Sequence, residues 1–519
     1  MTRAVLASGE LPIYGGPVPA VLTRVEVSAL LAVAQDHAFG QPPGSALRAT
    51  VLAQHLASAA GAGPAERATT WWAAALRFLG CTGHAFEVAA LFGDEIELRD
   101  RSLRVDSANP ADMVRLIIGH AGPGLSGLPR LRSVVATVAT GRRAVEYSFR
   151  TACEVADALA VRLGLDVAAR AALATSFERW NGRGVPQGIA GPAIPRPMRI
   201  AQLAQEFEVL ARLGGATGAV EIVRARRGRA YDPELTDLLV DGGPAWWAAV
   251  AEPDPWDAAI EVAPPAVPLT ADDLRAALLV VADFADLKSP WTSGHSRGVA
   301  ALARAACGTG AESAALVHDL GRVAVPNTVW DKPGSLTRDE RDRTETVPLV
   351  TEQLLRRLPY TAELAPTACA AYERLDGSGY HRRVTGGRLD AAQRVLAAAD
   401  CYQAMTAARP HRGPHSPADA AAELRRMAGA GRLCGESVER VLEAAGHRRA
   451  ARAVLPAGLT ARESEVLGLV ALGLTTRAIA DRLVISPKTA DRHVQNIYGK
   501  IGVSTRGAAA LFAAEHGLL

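Results

Sequence analysis

The chain has 519 residues, of which 49% are hydrophobic and 21% charged, with a formal net charge of +3. That balance excludes an intrinsically disordered chain and supplies apolar material for about three or four folded domains. So small a net charge gives no global nucleic-acid signature, so attraction to DNA has to come from local patches.

The first residues, MTRAVLASGELPIYGG, lack a charged start followed by an apolar core, and no apolar run reaches membrane-spanning length. A cytoplasmic protein without a membrane partner is expected. Cysteines at 81, 153, 307, 369, 401 and 434 sit singly in apolar surroundings, with no CxxC pairing, and read as reduced, buried thiols.

Taken in chain order, residues 1–241 form a first block of alanine- and leucine-rich segments with helical period. Its GRGVP stretch, Gly182 to Pro186, reads as a turn, and His84 stands alone near an apolar helix as a structural residue. Residues 242–269, containing GGPAWW, EPDPWD and APPAVPL, lack sustained periodicity and read as a linker with exposed tryptophans.

The second block spans 270–445 and repeats the first. FERWNGRGVPQG from Phe177 pairs with YERLDGSGYHRR from Tyr372, AALRFLG ending at Gly80 pairs with ALVHDLG ending at Gly321, and Arg48 pairs with Arg297. Duplication of a helical domain explains these pairings most simply. In the second copy His295, the adjacent His318 and Asp319, and Asp400 emerge from helix ends. Imidazoles with carboxylates suit a divalent ion such as manganese, iron or magnesium, whose bound water becomes a nucleophile toward phosphorus, while Arg322 steadies a phosphate oxygen. At the paired positions the first copy has Ala46, Arg77, Phe78 and Gln205, which cannot form that site, so it reads as scaffold, interface or small-molecule pocket.

A junction at 446–458 carries Arg448, Arg449 and Arg452, a local basic patch or a solvated linker. The rest, 459–519, reads as four short helices. Thr460 with Glu463 makes a capping box, a second helix starts near Thr475 or Thr476, and Ser486 with Pro487 caps and opens the third. In that third helix Ala490, Val494, Ile497 and Ile501 form the inward stripe. The free face carries Lys488, Thr489, Asp491, Arg492, Gln495 and Asn496, suited to phosphates and base edges, with Lys500 and Arg506 adding backbone contacts.

This last segment resembles a LuxR/GerE-type helix-turn-helix almost throughout. The resemblance implies that the third helix reads double-stranded DNA and that the fourth, about Thr505 to Glu515, pairs two protomers through Ala508, Leu511 and Phe512. Asp491 departs from a position that is often basic.

The second block resembles the HD superfamily of metal-dependent phosphohydrolases, and HDLGRVAVPNTVWDKPGSLTRDE followed by YERLDGSGYH resembles its HD-GYP branch. Cyclic dinucleotide hydrolysis is what that branch implies. Val347, Ala371 and Tyr372 stand where it has histidines, Asp286 where it often has a metal-binding glutamate, and Gly379, Tyr380, His381 where it has GYP. The expected architecture is therefore all-α: two HD-like domains in tandem, the first more degenerate, followed by the helix-turn-helix. The expected function is a homodimeric transcription regulator whose HD-like domains sense a small molecule, with a nucleotide as the expected ligand class. The alternative is a phosphohydrolase acting through Asp319 and Arg322 with one metal on His295, His318, Asp319 and Asp400, and a DNA-binding tail.

Overall fold

The computed structural model describes residues 22–122, 125–251, 254–446 and 455–519, so the arginines at 448, 449 and 452 lie outside the described residues. Among the described residues there is no β-strand, only isolated bridges. The architecture is all-α, as the helical period and scarcity of alternating β-branched runs require.

In the first half, the helices Ser45–Ala59, Pro64–Ala75, Arg196–Ala225 and Pro233–Val250 pack together, and a 36-residue helix, Gly127–Arg162, runs alongside. In the second half, His295–Cys307 packs on Thr309–Val317, Ala391–Thr406 and Gly435–Ala444, with Ala271–Asp286 on another side. One hydrophobic core continues through both halves into the C-terminal helices.

The two halves carry the same backbone landmarks. A Cβ on Gly80 would come within 1.8 Å of the Ala152 carbonyl, and one on Gly321 within 2.2 Å of the Val347 carbonyl. Gly184 and Gly379 stand equally tight against the backbone of Glu178 and Glu373. Each of those glutamates turns back to accept N–H bonds from its own loop: Glu178 from Gln187 at 2.7 Å and Glu373 from Arg382 and Val384, both at 2.9 Å. Bare backbone is needed where two segments touch this closely, which is why the glycines recur.

Helix starts correct the pairing register. The helices at Ser45 and His295 both follow a left-handed glycine, Gly44 with φ 95° and Gly294 with φ 75°. Asp36 accepts from the N–H of Ala46 at 2.9 Å, as Asp286 does from Ser296 at 2.7 Å. Ser45, not Ala46, therefore stands opposite His295; matching the arginines had shifted the register by one. Ser45 is no better a metal ligand set member, so the contrast between the halves stands.

The stretch 242–269 differs from the expected linker. Its first part continues the helix Pro233–Val250, and Trp256–Glu261 forms another turn and a half. Helix packing overrides the unfavourable Pro244 inside the first of these. Trp246, Trp247 and Trp256 are half-buried against the core. Direct bonds also join the halves: Lys288 pairs with Glu95, both buried, and the Asn327 N–H donates to Glu95.

The C-terminal module forms as its caps dictate. Thr460 and Glu463 make the reciprocal box opening Ala461–Ala471, Thr475 caps Thr476–Leu483, Ser486 caps Pro487–Ile501 and Thr505 caps Arg506–Glu515. Each such cap stabilises its helix by about 1 kcal/mol. All six cysteines are free. No helix among the described residues is long and apolar enough to cross a membrane.

Candidate metal centre and nucleic-acid interface

Three helices deliver the second-half cluster. His295 opens its helix, His318 closes Thr309–Val317, and Asp400 sits in the buried middle of Ala391–Thr406. Their side-chain donor atoms lie within 4.8 Å of one another and all three residues are buried. Asp319 joins them: its Oδ2 is 3.6 Å from His295 Nε2 and 3.2 Å from His318 Nε2, and Asp400 Oδ1 is 3.0 Å from His295 Nε2. The sequence therefore named a set that the fold does bring together.

Electrostatics sharpen the cluster. Burial pushes His295 down to about 4. Burial opposes charge on His318 too, but Asp319 and Asp400 hold its proton, up to about 10. The Asp319 carboxyl, disfavoured by burial, is kept below the usual range by Arg322 and His318, and Asp400 by its bonds to the two histidines. His318 Nδ1 meets the Ala315 carbonyl at 2.6 Å, which orients the ring and turns Nε2 inward.

The cluster fits a divalent ion on the chemistry of its donors. His318 Nε2 and Asp319 Oδ2 are buried 3.2 Å apart, and both face the common centre. Two imidazoles and a carboxylate suit a borderline cation. When bound there, such an ion supplies Lewis acidity toward a phosphoryl oxygen.

What surrounds the cluster was only partly visible in the sequence. Tyr372 donates its hydroxyl to Asp319 Oδ1 at 2.5 Å, and Arg322 Nη2 lies 3.0 Å from the Tyr372 oxygen and 2.8 Å from Asp319 Oδ2. Asp319 is thereby gripped on both oxygens by neighbours of its own chain. Arg322 lies over the Trp330 ring at 5.0 Å, and its Nε and Nη1 are buried without partners. Among the described residues those donors meet no acceptor, and they suit a phosphate.

Arg409, which the sequence reading missed, is lowered to about 10 by burial and by Arg322. It belongs to no spacing pattern that could have revealed it. Tyr380 stacks on Tyr372 with ring centroids 5.0 Å apart. Val347 is buried among Val325 and Val329, and Ala371 is also buried, so apolar packing replaces two of the missing histidines. Asp286 accepts from the Ser296 N–H and hydroxyl, so it holds the start of the His295 helix. Burial raises it to about 7 against the pull of Arg322 and Ser296.

The first half is filled at the matching place. Arg77 is buried, donates through Nε and Nη2 to the Ser176 carbonyl, and stacks on Phe78 at 5.0 Å. Gln205 is buried in the helix Arg196–Ala225. His84 is buried and lowered to about 3 by burial, with Phe149 beside it, and joins no metal-ligating cluster among the described residues.

In the C-terminal module, Ala490, Val494 and Ile497 are buried, as the stripe requires. Lys488, Thr489, Asp491, Arg492, Gln495 and Asn496 are exposed along the opposite face. The Thr489 hydroxyl is engaged by Ser486 at 2.8 Å, and Lys500 Nζ by Glu463 at 2.6 Å. Arg506 is half-buried, and its N–H meets the Tyr147 hydroxyl at 3.2 Å. Ala508 and Leu511 are buried within this one chain rather than presented on an open pairing face.

Comparison with known proteins places these features. An HD domain family profile matches residues 136–235 and 279–435, and "Bacterial regulatory proteins, luxR family" matches 457–513. The chain is an HD-domain protein with a LuxR-family C-terminal domain. It is 29% identical over 401 residues to a 3'3'-cGAMP-specific phosphodiesterase 3 of Vibrio cholerae, covering 75% of this chain and 87% of that protein. It is 36% identical over 103 residues to a cyclic di-GMP phosphodiesterase response regulator of Xanthomonas campestris, 20% of this chain and 27% of that protein. A crystal structure of a cyclic GMP-AMP specific phosphodiesterase from V. cholerae superposes with a TM-score of 0.56 at 23% identity, covering 83% of this chain and 99% of the other, which establishes the fold.

Proposed function

We propose that this HD-domain protein is a sequence-specific, DNA-binding transcription regulator whose second HD half holds one divalent ion and senses a phosphodiester nucleotide. The first HD half serves as a degenerate scaffold. One observation carries the reading: His295, His318 and Asp400 stand together as a buried ligand set suited to one ion, while Asp319 is held by Tyr372 and Arg322 and the remaining Arg322 donors suit a phosphate. The ligand shifts the protein only if it binds one arrangement better than another. The exposed face of Pro487–Ile501, with Lys488, Arg492, Gln495 and Asn496, enters the major groove, and two protomers reading half-sites about one helical turn apart fit that geometry.

A second reading, a metal-dependent phosphodiesterase with a DNA-binding tail, is favoured by the intact ligand set and by the V. cholerae relative that matches most of the chain. Elemental analysis of protein purified without added metal, joined to assays on 3'3'-cGAMP, cyclic di-GMP and bis-p-nitrophenyl phosphate, separates the two. About one ion per chain with nucleotide binding and no turnover supports the sensor. Turnover that disappears in His318→Ala supports the enzyme. Failure to bind either metal or nucleotide sinks both.

A further inference from the structure

A cavity of about 160 Å³ lies in the second half, beside the loop that carries Gly379, Tyr380 and His381, and no residue of the ion cluster lines it. Ala365, Pro366 and Leu389 form part of its apolar wall. At roughly 30 Å³ per water the space holds about five waters, enough for a small anion and too little for a dinucleotide.

Three arginines line its exposed side, Arg356, Arg382 and Arg388, and they exceed the carboxylates that could neutralise them. Glu352 is buried and accepts from Arg356 Nε at 2.7 Å and from Arg382 Nη2, both on the same oxygen, Oε1. Its Oε2 lies 3.4 Å from His381 Nε2. Glu373, the other acid on the cavity wall, is satisfied by the N–H groups of Arg382 and Val384. The Arg388 guanidinium meets no acceptor among the described residues. Each guanidinium carries five N–H donors, so most of this donor capacity faces solvent and the cavity rather than protein. Several guanidinium forks around one hollow suit a tetrahedral oxyanion, which offers more oxygens than a carboxylate.

The cavity is also one residue removed from the ion cluster along two elements. Thr351, next to Glu352 on the helix Val347–Leu355, accepts from the Gly321 N–H at 2.9 Å and donates to the His318 carbonyl at 3.2 Å. Tyr372, next to Glu373, donates its hydroxyl to Asp319. An anion that draws Arg356 and Arg382 toward itself loosens their hold on Glu352, and through Arg382 it pulls on the loop that Glu373 caps. Both movements reach the backbone and side chain of the His318 and Asp319 pair directly.

We propose that this cavity is an effector site for a phosphate group, free or as a small monoester, whose occupancy is transmitted to His318 and Asp319 through Thr351 and Tyr372. Its regulatory meaning rests on reading the His295 cluster as the working centre; the binding itself does not.

The test uses the full chain stripped of metal, titrated calorimetrically with inorganic phosphate and with phenyl phosphate at physiological ionic strength, beside Arg388→Gln and Arg356→Gln. Arg388 is exposed and makes no bond within the chain, so its variant tests the site without threatening the fold. Each substitution is expected to weaken phosphate binding about tenfold. Phosphate is expected to slow hydrogen exchange over 318–322 and 372–373 about threefold in the wild type and to leave it unchanged in Arg388→Gln. Tighter binding of phenyl phosphate assigns the site to a monoester, and equal affinity assigns it to free phosphate. No phosphate binding in the wild type, binding that survives both substitutions, or binding without slower exchange over 318–322 overturns the effector site. Binding with slowed exchange, in a protein that takes up neither Mn²⁺ nor cyclic dinucleotide, would keep the effector site and reject the reading of the His295 centre instead.

Discussion

The two HD halves share their tight backbone contacts and differ in almost every residue that could do chemistry. Gly80 and Gly321 meet a neighbouring carbonyl in the same way, Gly184 and Gly379 tuck under the same loop, and Glu178 and Glu373 cap it. Yet where His318 and Asp319 face the buried cluster in the second half, Arg77 and Phe78 stack on each other and fill the space in the first. Close packing constrains backbone at a few points without regard to function, whereas a ligand set is free to be replaced wherever another side chain can satisfy the cavity. The same logic operates inside the second half, where Val347 fills an apolar hole and Tyr372 with Arg322 neutralises Asp319.

The comparison breaks most visibly through the ion. His318→Ala is expected to weaken divalent-ion binding on the order of 100-fold or more, since it removes a ligand outright, whereas Arg77→Ala leaves ion content unchanged. Equal losses from both, measured by elemental analysis and titration calorimetry, would mean that the halves do not divide this labour.

Next in size are the shared glycines. Gly321→Ala and Gly80→Ala each drive a methyl into a carbonyl oxygen, at 2.2 and 1.8 Å, and each is expected to cost about 3 kcal/mol or more in chemical denaturation. A large cost in only one half would show that the repeat's packing is no longer equivalent.

Tyr372→Phe removes a hydroxyl that bonds both Asp319 and Arg322. It is expected to lower stability by about 1–2 kcal/mol in the metal-free protein and to raise ion affinity, because Asp319 is freed. Loss of ion affinity in this variant would show that the tyrosine supports the site rather than competing for its carboxylate.

The proton on His318 gives a pH signature. Its folded-state value, about 10, lies above its ordinary 6.5, so the stabilisation it gives is complete below 6.5 and fades as pH rises through 10. An ion must displace that proton. Metal-free protein is therefore expected to lose Tm between pH 7 and 10, while ion affinity rises over the same window and proton release accompanies binding, read by calorimetry in buffers of different ionisation enthalpy. Ion affinity that does not vary with pH would remove His318 from the ligand set.

The smallest effect belongs to the recognition helix. Lys488→Ala is expected to weaken duplex binding uniformly and reduce the salt slope by about 1, while Gln495→Ala or Asn496→Ala changes sequence preference. Uniform loss from all three would place base reading elsewhere.

The sequence by itself determined everything governed by short spacing. Thr460 with Glu463, and Ser486 before Pro487, act on N–H groups within one helical turn, so their pattern gave the helix starts of the C-terminal module and hence its exposed face. The candidate ligand residues were also legible, because His295, His318, Asp319 and Asp400 are polar residues at the ends of, or within, apolar helices. The tertiary structure alone decided what those residues meet. Ser45 rather than Ala46 opposite His295 follows from helix starts, and helix through 242–250 follows from burial of a face that a proline and glycines had disguised. The grip of Tyr372 and Arg322 on Asp319, the nearness of Arg409, and the docking of Arg506–Glu515 on Glu154 and Gly294 join residues tens to hundreds of positions apart. Such contacts leave no periodicity in the chain, since they arise from how packed helices cross rather than from any spacing along one of them.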